Sequence, residues 1–210
     1  MNKKLEVAIN KSLKEKYQEG LIMGKALGFA EAAHRGQTRK YTGVPYVTHP
    51  TNVAGSLRNW GCSKVMIAAG YLHDVLEDTP VTPEELSGFF GTTIADLVME
   101  VTNPSKKHPE LARSLRKEMD RKHLSQVSKE AKIIKMADML DNYSDMQHDK
   151  AEIEFVDLYA DEGLLLLAVL KEADENLAKW VSDVIHELRA WNKARKEANR
   201  GNSGNGDGTE

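Results

Sequence analysis

In nearly every segment of this chain apolar residues recur at spacings of three and four, and no stretch keeps the strict alternation of a half-buried strand. The helical spacing runs over 21 to 33, 64 to 76, 94 to 101, 111 to 124, 131 to 146 and 164 to 191, which predicts an all-α fold. Several helix starts are marked. Ser63 precedes one periodic run and Ser128 another, while Thr82-Pro83-Glu84-Glu85 sets a cap, an N1 proline and a capping-box glutamate in order. Residues 36 to 50, GQTRKYTGVPYVTHP, hold two glycines and two prolines. They are expected to form a loop with extended pieces, the kind of segment on which binding groups gather.

With 210 residues and no break in composition before the tail, one well-packed domain is expected, over residues 21–198. Ahead of it Leu5, Ile9 and Leu13 share a helical face. Residues 1–20 therefore read as an added helix that packs on the domain or on a partner subunit, which leaves a homo-oligomer open. Residues 199–210, which include the run GNSGNGDGTE, offer almost nothing apolar to bury and are expected to be disordered. The net charge is −3 and the 29 basic residues are spread along the chain, so the broad cationic footprint of a duplex-binding protein is absent and nucleic acid is not expected as a main partner. Cys62 is the sole cysteine, no apolar run reaches the length of a membrane span, and MNKKLEVAINKSLKEKY has no signal-peptide core. A soluble protein of a reducing compartment, the cytoplasm, is the expectation.

The strongest chemical signal is YLHDVLEDT, residues 71 to 79, where the adjacent pair His73-Asp74 stands one helical turn before Glu77-Asp78. A helix brings residues three and four apart onto one face, so an imidazole and a carboxylate can share a cation with a second acidic pair beside them. Uncompensated buried carboxylates are costly, and a cation or an ion pair is the usual remedy. A solvated helix face gives the same spacing, so the dipeptide alone does not decide. One histidine and one aspartate are also too few ligands, and two further residues have reason to point inward. His49 sits in YVTHP, where the loop ends and Pro50 starts a helix; its bland role is to hydrogen-bond at the helix start. Asp138 lies among Ile133, Ile134, Met136, Ala137 and Leu140, where a carboxylate wants a cation or an ion pair with Lys135 or Lys132.

Taken together, His49, His73-Asp74 and Asp138 resemble the ligand order of the HD phosphohydrolase superfamily. More narrowly, AHRGQTRKYTGVPYVTHP, LHDVLEDT, FFGTTIADLVMEVTN and IIKMADMLDN resemble, in sequence order, the hydrolase domain of RelA/SpoT homologues, which in stand-alone form occurs as small alarmone hydrolases of the metazoan SpoT homologue type. The resemblance covers residues 21 to 150, and no synthetase half is visible. It implies a compact HD-domain helical bundle of about ten helices. It also implies Mn²⁺-dependent removal of the 3′-pyrophosphate of (p)ppGpp, giving GDP or GTP and pyrophosphate. By the same resemblance His49, His73, Asp74 and Asp138 hold one divalent ion, Glu77 and Asp78 work on the attacking water, and Arg39, Lys40 and Asn142 hold the nucleotide. Imidazoles and carboxylates suit a six-coordinate ion such as Mn²⁺, whereas a closed zinc site more often includes thiolates.

The chain departs from the familiar pattern in three places. RKYTGVPY is one residue longer than the usual loop, with Val44 where glutamate is common; Asp141 stands where many relatives carry histidine; and 103 to 123 lacks the AEN-type segment. Arg113, Arg116, Arg121 and Lys122 either add positive charge for phosphates or form a solvated face. His34 is expected to be structural, and His108, His123, His148 and His186 to lie at the surface. Two other functions fit the same residues: the site could act on another nucleotide (NADPH 2′-phosphate, ppApp or a dNTP), or the protein could be a non-catalytic nucleotide-binding regulator. The Glu77-Asp78 pair speaks against the regulator, because a binder has no need of a water-activating pair.

Overall fold

The computed structural model describes residues 11, 20–148 and 150–203, with side chains up to residue 200. Its elements are α1 (20–33), α2 (Thr48–Asn59), α3 (Lys64–Leu72), α4 (Val75–Asp78), α5 (Pro83–Phe90), α6 (Thr92–Val101), α7 (Arg113–Ser125), α8 (Lys129–Met146), α9 (Ile153–Leu170) and α10 (Glu175–Ser203), with 3₁₀ turns at Pro104–Lys107 and Lys171–Ala173. Among the described residues the one extended pairing is an antiparallel bridge between Thr38 and Pro45. The fold is all-α, as the periodicity predicts, and no described helix is long and apolar enough to cross a membrane. The face formed by Leu5, Ile9 and Leu13 lies outside the described residues, as do 204–210. Helix α10 continues to Ser203, past residue 198 where the tail was expected to begin. Asn199 and Arg200 simply carry on the helix, since polar residues are tolerated in an exposed last turn.

Contacts divide the described residues into two compact units, one formed by those up to 37 together with 46–102, the other by 38–45 together with those from 103 on. In the first, α3 packs on α2 and α6, and α5 on α6. The marked starts work as the sequence suggests. Ser63 accepts from the Met66 amide, and Thr82 and Glu85 exchange both bonds of a capping box. Gly70 lets α2 come close: a Cβ there would lie 2.6 Å from Leu57 Cδ1. The periodic run 64 to 76 is not one helix, however. Helix α3 stops at Leu72 and the single turn α4 starts after Asp74. The His73 ring supplies the reason, since its Nδ1 donates to the Gly70 carbonyl at 2.8 Å and satisfies an acceptor at the end of α3 with a side chain.

In the second unit α8 is buried on nearly every side from Ala131 to Leu140, against α9 and α10, which is why its apolar pattern has no clean polar face. Ser128 caps it through the Ala131 amide. The connection before α7 is fixed by buried Asp120, which accepts from the Ser105 amide at 3.1 Å and the Ser105 hydroxyl at 2.8 Å. Asn192 of α10 donates to Ile153 O and to Asp157 of α9. Gly163 faces the Tyr143 ring so closely that a Cβ would overlap its hydroxyl, and that ring is held by Tyr143 Oη donating to Tyr159 O at 3.0 Å. Gly163→Ala should therefore lower stability by about 1–3 kcal/mol despite alanine's better helix propensity, read as a lower urea midpoint at unchanged slope.

Candidate metal and phosphate site

Three donor atoms converge in the first unit. His49 Nε2 and His73 Nε2 are 3.1 Å apart, and Asp74 Oδ2 lies 3.4 Å from the first and 3.2 Å from the second. All three residues are buried. His49 is placed by the first turn of α2, His73 and Asp74 by the break between α3 and α4. The spacing argument for a shared helix face thus gives way to a turn that bends both side chains inward.

The donor set fits a divalent cation. His73 Nδ1 must carry a proton to donate to Gly70 O, so in the neutral ring Nε2 is a bare lone pair. A carbonyl that fixes the tautomer in this way is the usual outer support of a metal-ligating histidine. Two imidazole nitrogens and a carboxylate oxygen this close need a proton or a cation among them. One ligand atom from each of the three residues lies within 4.8 Å of the other two. Burial pushes the Asp74 carboxyl up, but the positive charge of a protonated His73 and the hydrogen bonds that protonated His49 and His73 offer it outweigh burial and hold the carboxyl well below the usual range. Asp74 is thus an anion at neutral pH, as a ligand requires.

Glu77 and Asp78 follow on the single turn α4, both half-buried. The amides of Glu77 and Asp78 both donate to Asp74 O, at 3.1 and 3.0 Å, so the acidic pair is fixed directly to the ligand pair. The sequence reading missed two residues here. Tyr46 Oη donates to Asp74 Oδ2 at 2.5 Å, and Gln37 Nε2 donates to Asp78 O at 2.9 Å. The available signal was position alone: Tyr46 stands three residues before His49, and Gln37 follows the Gly36 turn, where φ is +83°.

The remaining expected site residues belong to the second unit. Asp138 is buried on α8, with Lys135 Nζ 2.8 Å from Oδ2 and Asn142 Nδ2 2.5 Å from Oδ1. The ion pair with Lys135, one of the two alternatives for this carboxylate, is therefore formed. Arg39 is buried, not a free loop cation. Its Nη1 donates to Asn142 Oδ1 at 3.3 Å, and its Nη2 sits 3.2 Å from Asp141 Oδ2 and 3.1 Å from Asp145 Oδ2. Asp141 thus neutralises part of the loop's charge. Lys40 is exposed, with Nζ over the rings of Tyr41 and Phe155 at 5.2 and 5.5 Å and no carboxylate partner among the described residues. At the tip of the loop Gly43 turns at φ +75°, and the buried Tyr41 stacks on His148.

Of the basic residues on α7, Arg113 is held in a two-point ion pair with Glu162 at 2.7 Å. Arg116 and Arg121 are half-buried, and Lys122 is exposed. His34 is buried, with Nδ1 at 2.9 Å from Gln37 Oε1. His108 and His186 are exposed, while His123 and His148 are half-buried.

A family model described as HD domain matches residues 26–173. The guanosine-3′,5′-bis(diphosphate) 3′-pyrophosphohydrolase MESH1 of Danio rerio is 32% identical over 179 residues, which is 84% of this chain and 89% of that protein. Probable guanosine-3′,5′-bis(diphosphate) 3′-pyrophosphohydrolases of Mycoplasma pneumoniae and Synechocystis are 35% and 41% identical over 154 and 123 residues. This chain spans only 21% and 16% of the length of those two proteins. The structure described as "A metazoan ortholog of SpoT hydrolyzes ppGpp and plays a role in starvation responses" superposes with a TM-score of 0.71 at 31% identity, over 81% of this chain and 96% of that one.

Proposed function

The chain belongs to the HD-domain family, and on that premise we propose that it is a metal-dependent phosphohydrolase that removes the 3′-pyrophosphate of guanosine tetra- and pentaphosphate, giving GDP or GTP and pyrophosphate. The observation that carries the chemistry is the buried His49–His73–Asp74 group with Glu77 and Asp78 fixed to its backbone. The similarity to MESH1 over most of both chains supports the substrate.

In this reading His49, His73 and Asp74 hold one divalent ion, taken to be Mn²⁺ because the donors are two imidazoles and a carboxylate with no thiolate. Asp138 is assigned as the fourth ligand on the order of the sequence pattern. When bound, the ion supplies positive charge that acidifies water and polarises a phosphoryl oxygen. Glu77 accepts the proton of the attacking water, and Asp78 orients it. The bond between the 3′ oxygen and its phosphorus breaks, a proton goes to that oxygen, and pyrophosphate leaves. Asn142, Arg39 and Lys40 are assigned to the nucleotide, and the cytoplasm is assigned as the compartment on the chain's sole cysteine.

Because Arg39 already has two carboxylates, Lys40 is the more available cation of the pair. Lys40→Ala is expected to raise KM for the 3′-pyrophosphorylated nucleotide about tenfold with kcat little changed, the pattern of uniform binding loss. An unchanged KM in steady-state assays would remove Lys40 from the nucleotide contacts. The test of the function itself is a panel of ppGpp, pppGpp, ppApp, NADPH and dNTPs with Mn²⁺, scoring pyrophosphate against phosphate release. Pyrophosphate with GDP from ppGpp is expected; phosphate from NADPH alone would overturn the reading.

A further inference from the structure

Tyr46 stands in the turn that leads into α2, and its phenol reaches two carboxylates at once. Oη is 2.5 Å from Asp74 Oδ2, and Asp78 Oδ2 lies at 3.5 Å, the limit of a hydrogen bond. Asp74 Oδ2 is also the oxygen nearest both imidazoles. The phenol ring is itself fixed. It packs on the His34 ring at 4.7 Å and meets the His49 ring edge-on at 5.8 Å. Gln37 ties the same parts together from the other side. Its carbonyl accepts the Tyr46 amide at 2.9 Å, its side-chain amide donates to Asp78 O at 2.9 Å, and its Oε1 is held by His34. One glutamine thus anchors both the tyrosine and the acidic residue that the tyrosine approaches.

We propose that Tyr46 is a positioning residue: its hydroxyl gives its one proton to the Asp74 carboxylate and fixes it for the metal, while Gln37 clamps the Asp78 backbone. The proposal rests on the reading of Asp74 as a ligand and Asp78 as an orienter of water. A ligating carboxylate with free rotation about its last bond offers either oxygen, or neither, to the ion. A donor at 2.5 Å restricts that rotation, and such outer donors are typically worth about 10–100-fold in metal affinity. A structural role for the ring would be served equally well by phenylalanine, so the hydroxyl alone is under test.

Tyr46→Phe removes one oxygen and keeps the packing against His34 and His49. Mn²⁺ affinity, measured by the loss of the free-ion electron paramagnetic resonance signal on titration, is expected to fall about tenfold or more, with the thermal midpoint of the metal-free protein little changed. At saturating Mn²⁺, kcat on ppGpp should fall with KM unchanged, because the Asp74 carboxylate is then free to rotate. Gln37→Met keeps length and loses the amide; it should lower kcat while leaving Mn²⁺ affinity within about twofold, which separates the clamp on Asp78 from the hold on Asp74. A Tyr46→Phe protein with wild-type Mn²⁺ affinity and wild-type kcat would overturn the proposal, as would a Gln37→Met protein with unchanged kcat. Wild-type protein that binds Mn²⁺ but hydrolyses no ppGpp would overturn the functional reading alone, since the affinity change in Tyr46→Phe would still decide the hold on Asp74.

Discussion

His73→Ala is expected to abolish Mn²⁺ binding and ppGpp turnover together in a protein that remains helical by circular dichroism. The ring contributes a bare Nε2 to the donor group and a proton to Gly70 O, so its loss removes a ligand and frees only one carbonyl at a helix end. The space left by the ring lets water reach that carbonyl, whereas the cation is left with only His49, Asp74 and the assigned Asp138 and is under-coordinated. Outer supports of metal ligands already cost about 10–100-fold in affinity, and loss of a direct ligand should exceed that range. Asp74→Asn tests the same point with charge instead of shape: the side chain keeps its volume, but the anion that offsets the metal's charge is gone. For Asp138→Asn the expected loss of affinity depends on its assignment as fourth ligand, and the Lys135 and Asn142 bonds are the structural role that would remain if affinity were unchanged. A His73→Ala protein that retains tight Mn²⁺ binding in the paramagnetic resonance titration would show that the buried donor group is a hydrogen-bonded core pair and not a metal site.

What the sequence made legible follows from the range over which each interaction acts. Helix positions and caps depend on neighbours within four residues, so the periodic runs, the Ser63 and Ser128 caps and the Thr82–Glu85 box could be read directly. The break at His73-Asp74 could not, because a side chain displaces the expected backbone donor there, and a regular apolar spacing runs straight through it. His49 and His73 lie 24 positions apart and still meet; that pairing was inferred from residue type and from resemblance to the HD pattern, never from spacing. The charge environment of Arg39 lay further out of reach. Its partners Asp141 and Asn142 are more than a hundred positions away, and a loop arginine beside a lysine reads as an open cation until the carboxylates that face it are known. Tyr46 and Gln37 were hidden for a related reason. Neither residue type is unusual in a loop, and their roles appear only once the Asp74 and Asp78 oxygens they reach are located.

Glu77→Gln should leave Mn²⁺ affinity near the wild-type value and lower kcat on ppGpp by about 10²–10⁴-fold, the range for loss of a general base. The two effects separate because Glu77 lies outside the group of donor atoms, on the turn after it, while its amide shares the Asp74 carbonyl with that of Asp78. Glutamine keeps the length of the side chain and its half-buried position, so the backbone bond to Asp74 O and the helical turn survive. Only the capacity to accept a proton is removed. Asp78→Asn should act differently, since Asp78 is held through its backbone carbonyl by Gln37 and is assigned to orient water instead of taking its proton. Its loss is expected to be smaller than that of Glu77. Measured side by side at saturating Mn²⁺, a larger fall for Asp78→Asn than for Glu77→Gln would exchange the two roles and make Asp78 the base. Equal wild-type rates in both would mean that the acidic pair on α4 supports the turn and takes no part in the chemistry.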